Sequence, residues 1–277
     1  VIHLRCARFA TPPGSTGFPF NVPAVRSLRT LEFPSPVTFF VGENGSGKST
    51  VLEALAIATR RTAIGSAGVH DDPTLEPQRR LGRAIKLVWN RWNDRGFFLR
   101  AEDFFGFAKQ LSRLRAELNE RLAEIGEEYD EHSAYARGLA EAPVRASLAD
   151  MERRYGRDLD ARSHGEAFLK LFGNRFVPGG LYLLDEPEAA LSPQSQLGLL
   201  AMLDEMVGKG AQFIVATHSP ILLGFPGATI YNFDLDPVAA VAYADLEQVA
   251  LTRDFLNQPE RFLRHLQGDE VGPAGPR

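Results

Sequence analysis

The chain has 277 residues, 44% hydrophobic and 24% charged, which is the make-up of an ordinary folded protein long enough to bury a sizeable core. That excludes wholesale disorder, a collagen-like repeat and a disulfide-stapled scaffold, since Cys6 is the single cysteine and can form neither an intrachain bridge nor a Cys-x-x-Cys metal site. A formal charge of −4, from 31 basic and 35 acidic residues, argues against a globally basic nucleic-acid protein, and no apolar run approaches the ~18 residues of a transmembrane helix.

Residues 1–20 carry a charge or a Pro/Gly break every few positions and lack the apolar stretch of a secretory signal. With one cysteine, a reducing, cytoplasmic setting is expected, with no direct membrane insertion. Apolar segments flanked by turn residues recur at 1–9, 37–41, 84–92, 97–101, 181–184, 213–216 and 229–233, and read as strands. Residues 181–184 and 213–216 are short continuous apolar runs, as in strands buried on both faces. Asn93-Asp94-Arg95-Gly96 predicts a turn joining 84–92 and 97–101 as an antiparallel hairpin. Arg79, Arg80, Arg83, Lys86, Arg91, Arg95 and Arg100 fall in the same stretch, with Asp94 the only acid among them. They read as a solvated hairpin face, the alternative being a footprint for DNA.

Further on, Leu111, Leu114, Leu118, Leu122 and Ile125 lie three or four residues apart, an apolar stripe on one helix face, and Val144, Leu148, Met151 and Tyr155 repeat the spacing. A polar link from Gly126 to Pro143 is expected between them. The chain therefore divides into a core, 1–103 with 161–267, an inserted helical subdomain, 104–160, and a Gly/Pro-rich tail, 268–277, expected to fray. Strands interspersed with helices predict an α/β sandwich around a mostly parallel sheet.

Three strand ends carry chemistry. Gly42-Glu43-Asn44-Gly45-Ser46-Gly47-Lys48-Ser49-Thr50 fits the phosphate-binding pattern G-x-x-x-x-G-K-[ST], between a buried strand and a helix. Its glycines let the N–H groups of Asn44 to Thr50 curl round phosphates at a helix N-terminus, with Lys48 on the β- and γ-phosphates and the Ser49 hydroxyl on Mg²⁺. Leu181-Tyr182-Leu183-Leu184 ends in Asp185-Glu186, which fit a Mg²⁺-holding aspartate and a base that polarises the attacking water. Residues 213–216 lead into Thr217-His218, a histidine able to hydrogen-bond the γ-phosphate. Ser163-His164-Gly165-Glu166 opens a further helix, either as an N-cap with a capping-box acid or as an anion site.

These four elements, in this order, resemble the ABC-class P-loop NTPases, with Ser163, Gly165 and Glu166 where that class has its nucleotide-contacting signature motif. Glu188 and Leu191-Ser192-Pro193 after Glu186, and Ser219-Pro220 after His218, are similar to the RecF, OLD and SMC-like side of the class. Gly96 to Glu102 and Phe255 to Leu263 resemble segments of small standalone bacterial predicted AAA-family ATPases. The resemblance implies ATP and Mg²⁺ as cofactors and a nucleotide-dependent, head-to-tail homodimer. Each site would take Lys48, Ser49, Asp185, Glu186 and His218 from one copy and Ser163–Glu166 from the other. No glutamine ends 97–101 where the class has one; Glu102 stands there, to hold Mg²⁺ or water or simply to end the strand, and Gln78 is the other candidate, read as loop. The alternatives are the ATP-binding subunit of a membrane transporter, with a separate membrane partner, and a DNA-repair or defence ATPase; any protein partner is unknown.

Overall fold

The computed structural model describes residues 1–10, 12, 15–63, 75–155 and 164–264. Its elements are β1 (Leu4–Phe9), α1 (Pro23–Ser27), β2 (Thr30–Glu32), β3 (Val37–Val41), α2 (Lys48–Ala58), β4 (Thr62–Ala63), α3 (Glu76–Arg83), β5 (Ile85–Trp89), β6 (Phe97–Arg100), α4 (Ala101–Glu128) and α5 (Ala134–Tyr155). There follow α6 (His164–Arg175), β7 (Leu181–Asp185), α7 (Pro193–Gly208), β8 (Gln212–Ala216), α8 (Pro220–Leu223), β9 (Thr229–Asn232), β10 (Ala239–Val241), α9 (Glu247–Asn257) and α10 (Pro259–Leu263).

Seven strands form one sheet in the order β10-β9-β3-β8-β7-β6-β4, parallel throughout except for β10 against β9. Period-2 alternation gives each face its own core. Phe40, Phe98, Leu181, Leu183, Ile214 and Ala216 pack with Val51, Leu52 and Leu55 of α2. Phe39, Leu99, Tyr182, Leu184, Phe213 and Val215 pack on the other side with Phe168, Phe172 and Phe176 of α6 and Leu199 and Leu203 of α7. Phe168, Phe172 and Phe176 are four residues apart on α6 and its C-terminal edge, so their rings form one stripe, with Phe172 to Phe176 stacked at 4.9 Å.

The expected hairpin is corrected. Strand β5 pairs antiparallel with β1 in a separate three-stranded sheet, β2-β1-β5, whereas β6 lies in the main sheet between β4 and β7. Residues 93–96 thus cross from one sheet to the other. Gly96 does more than turn the chain: a Cβ there would lie 1.9 Å from the carbonyl oxygen of Leu181. The buried guanidinium of Arg61 holds the crossing, donating to the carbonyls of Asn93 and Arg95. The two sheets are joined by Gln212, wholly buried, whose amide accepts from His3 N and Leu4 N at 2.8 Å and donates to Leu4 O at 2.9 Å.

The helical hairpin also differs in detail. Helices α4 and α5 are separated only by residues 129–133, and Pro143 lies within α5 rather than in a link. Leu111, Ile125 and Met151 are buried, while Leu114 is exposed. The tail, 268–277, lies outside the described residues. Among the described residues no helix is long and apolar enough to cross a membrane.

Candidate functional site

The C-terminal ends of β3, β7 and β8 lie side by side, because β8 is the shared neighbour: Phe40 is in register with Ala216, and Ala216 with Asp185. From β3 the chain enters residues 42–47, where Gly42, Gly45 and Gly47 all have positive φ, at 149°, 82° and 103°. At Gly47 a Cβ would meet Val22 Cγ1 at 2.8 Å, so the tight loop needs glycine for space as well as for backbone angle. Helix α2 starts at Lys48 with no side-chain cap, leaving the first N–H groups turned to the loop. Lys48 is buried and its ammonium donates to the loop's own carbonyls, Gly42 at 2.7 Å and Glu43 at 2.8 Å. Burial lowers its pKa, while the carboxylates of Glu186, Asp185, Asp234 and Glu43 act against that.

One residue on, the Ser49 hydroxyl donates to Asp185 Oδ1 at 3.1 Å, joining the start of α2 to the end of β7. Burial pushes the Asp185 carboxyl up to about 8, helped by the negative charges of Glu53 and Glu186 and opposed by Ser49 and Lys48. Glu186 follows in the left-handed region, φ 49°, an uncommon place for a residue with a side chain. Its N–H is tied to Ala216 O at 2.9 Å and its carboxylate stands 3.6 Å from His218 Nε2. The next acid, Glu188, accepts the backbone N–H of His218 at 2.6 Å, fixing the loop after β8 to the turn after β7.

A family model described as "AAA domain, putative AbiEii toxin, Type IV TA system" matches residues 74–224, more than half the chain, and a second, "AAA domain", matches residues 21–69. The chain belongs to the AAA-domain P-loop ATPases. It is 30% identical over 252 residues to the cytochrome c biogenesis ATP-binding export protein CcmA of Rhodospirillum rubrum, covering 80% of this chain and 91% of that protein. It is 24% identical over 202 residues to the cobalt import ATP-binding protein CbiO of Salmonella typhimurium, covering 72% of this chain and 67% of CbiO. A shorter match, 38% over 74 residues, is to the DNA repair protein rad50 of Schizosaccharomyces pombe, covering 24% of this chain and 6% of rad50. The family is that of ABC-class enzymes that bind and hydrolyse ATP.

Two cavities flank the ATPase's phosphate loop and share Asn44 and Glu186. One of about 190 Å³ is lined by Phe18, Val22, Gly45, Gly47, Lys48, Ser49 and Thr50. The other, of about 600 Å³, lies towards His218, Asp234 and the start of α9. Phe18, Val22 and Asp234 escaped the sequence reading. Asp234 Oδ1 accepts Glu43 N at 2.8 Å, pinning the loop from the end of β9. Only its position just beyond a strand could have marked it. Phe18 is 46% exposed although it is aromatic, and its place beside the loop depends on the chain returning there from β1.

The remaining residues expected from the sequence lie elsewhere or outside the described residues. Gly165 and Glu166 lie in the first turn of α6, and Glu102 in the first turn of α4, but the side chains of Glu166 and Glu102 and the whole of Ser163 lie outside the described residues. Gln78 sits on α3, not in a loop, and donates to Glu53 Oε2 at 3.0 Å. Ser192 caps α7 by accepting Ser195 N. The basic stretch does not form one face: Arg79 and Arg83 turn to Glu76, and Arg100 is buried against Glu53 at 3.3 Å.

Ser49 and Asp185 offer hard oxygen donors in contact, with the carboxyl so buried that a proton or a cation is needed to keep it there. That suits Mg²⁺, which takes one or two protein oxygens and completes its shell with phosphate and water. Among the described residues there is no cluster of three metal-ligating side chains.

Proposed function

We propose that the chain binds Mg-ATP along residues 42–50 and that two copies close head to tail around two nucleotides, hydrolysis reopening them. The convergence of Lys48, Ser49, Asp185, Glu186 and His218 at three adjacent strand ends carries this reading. The N–H groups from Asn44 to Thr50 wrap the phosphates. Lys48 exchanges its loop carbonyls for β- and γ-phosphate oxygens, gaining charged partners. Ser49 and Asp185 would hold Mg²⁺, which when bound screens the charge of the phosphates. Glu186 orients a water and takes its proton as the water oxygen bonds to the γ-phosphorus and the β,γ-bridging oxygen leaves with ADP. His218, its backbone held by Glu188, presents its ring to the γ-phosphate. Phe18 and Val22 offer an apolar wall for the base. Ser163, Gly165 and Glu166 of the second copy complete the site.

Complementation tests the composite site. Ser163→Arg should bind ATP but fail to dimerise, and Lys48→Ala should bind it about 10–100-fold more weakly. Mixed dimers carry both lesions in one site and none in the other, so mixing should restore part of the ATPase activity. A mixture that stays inactive while mixed dimers form by light scattering rejects the composite site. The likeness to CcmA over most of its length favours a second reading, an ATP-binding subunit docked on a separate membrane protein; co-purification with such a protein from detergent extracts would support it. The divided basic stretch gives a DNA-binding face no support.

A further inference from the structure

Behind Ser49 and Asp185 lies a second polar pair built to the same plan. Ser49 and Glu53 are one turn apart on α2 and therefore share a face. Arg100 and Asp185 are register partners on neighbouring parallel strands. By alternation Arg100 points with Phe98, and Asp185 with Leu181 and Leu183, towards α2. The result is a two-runged ladder between helix and sheet: Ser49 to Asp185 at 3.1 Å, and Glu53 to Arg100 at 3.3 Å. Glu53 is 7% exposed and Arg100 9%, and Gln78 of α3 donates to the other Glu53 oxygen at 3.0 Å.

Two carboxylates one rung apart in a buried place repel each other, and a triphosphate arriving at the first would meet the field of both. Arg100 supplies the compensating cation at the second rung. Packing alone does not call for it, since an apolar pair would fill the same space without desolvating charges. We propose that Arg100 and Glu53 are positioning residues for the ATPase: their pair fixes the distance between α2 and the ends of β6 and β7, and so holds the Asp185 carboxylate where it and Ser49 can take Mg²⁺ together. This rests on the reading of Ser49 and Asp185 as the metal-holding pair. It gives Arg100 a part at the end of β6 that the sequence pattern alone does not show.

The test is isothermal titration of ATP into the full chain, once with magnesium and once with EDTA, the ratio of the two affinities being the gain due to magnesium. For Arg100→Gln the gain should fall about 10–100-fold, the usual cost of disturbing a group that orients a metal ligand. Affinity in EDTA should be unchanged, and Arg100→Lys should keep an intermediate gain. A folded Arg100→Gln with the wild-type gain, or an equal loss in EDTA, overturns the proposal. If Arg100→Gln does not fold, Glu53→Gln is measured in the same way; if neither folds, the pair is structural and the proposal fails. Asp185→Asn, titrated in parallel, separates the two levels. A normal gain in that variant removes the metal-holding reading itself, whereas a lost gain there beside a normal one in Arg100→Gln removes only the positioning role.

Discussion

The strand ends and the α4–α5 hairpin use polar side chains in opposite ways. At the strand ends partners come from far apart in sequence: Ser49 with Asp185 and His218 with Glu188, both part-buried, and Glu43 with Asp234, which is exposed. Among the described residues of the hairpin most ion pairs join residues three or four apart on one helix, as in Arg121–Glu124, Arg137–Glu141 and Arg153–Asp150; Arg115–Glu152, at 3.4 Å, joins the two helices. Local, exposed pairs support a helix but add little to its docking. Leu114 and Leu139 remain exposed there, whereas the side chains of Phe172 and Tyr182 are wholly buried. The long-range pairs thus sit at the strand ends, while the hairpin relies more on local ones, although α4 packs against β6 and the turn at residues 187–190 and α5 packs against α6.

The largest expected effect tests where the chemistry resides. Glu186→Gln should lower the hydrolysis rate by roughly 10²–10⁴-fold while leaving ATP binding intact, because an amide of the same shape cannot take the proton. Turnover at the wild-type rate would move the base elsewhere, and Glu102, at the root of the hairpin, would be the next residue to replace.

Stability should divide along the same line. Phe172→Ala empties the middle of the aromatic stripe and should cost about 3–5 kcal/mol in denaturant unfolding. Leu118→Ala in α4, only half-buried, should cost about 1 kcal/mol or less. Equal losses would show the hairpin to be as firmly part of the core as α6.

The next effect is in pH. The Asp185 carboxyl is raised from 3.8 to about 8, so the folded, ligand-free protein keeps a proton that the unfolded chain releases. Its contribution to stability is fully present below the unfolded value and is lost as pH rises towards 8. Between roughly pH 5.5 and 7.5 stability should fall by up to about 1.4 kcal/mol per unit, and Asp185→Asn should flatten that slope. Burial pushes Glu188 in the same direction, so some slope should remain in the variant. Rising stability over this range in the wild type would contradict the buried carboxyl.

The smallest effect sharpens the reading of the loop. Lys48→Ala should weaken ATP binding about 10–100-fold by calorimetry, the loss of a charged hydrogen-bonding partner to phosphate. Equal affinities would mean that Lys48 stays with its loop carbonyls in the bound state.

The phosphate loop, Asp185-Glu186 and His218 were legible because each is a short pattern attached to a buried strand, and a strand end can be read locally. Neighbours could not be read that way. Nothing in residues 84–101 distinguishes a hairpin from a crossing between sheets, because period-2 alternation marks a strand without naming its partner. Gly96 is required by Leu181, 85 residues away in sequence, as well as by its own φ of 113°. Pro143, expected at the end of a polar link, lies inside α5, a helix exposed enough to carry it. Arg100 was grouped with surface charge because its ion-pair partner, Glu53, is visible only once β6 and α2 have been placed.

Strand β3, which carries the phosphate loop, has β8 on one side and β9 on the other. Both are made long after it. As the polypeptide leaves the ribosome, an apolar strand and its glycine loop must therefore wait for about 170 further residues before either flank can be covered. At ordinary elongation rates that is an interval on the order of ten seconds or more. During it the first half of the molecule cannot complete its ligand site and presents two open strand edges to its surroundings. A fragment ending before Gln212 should accumulate as aggregate or in the hands of chaperones, even though it contains the entire nucleotide-binding sequence motif.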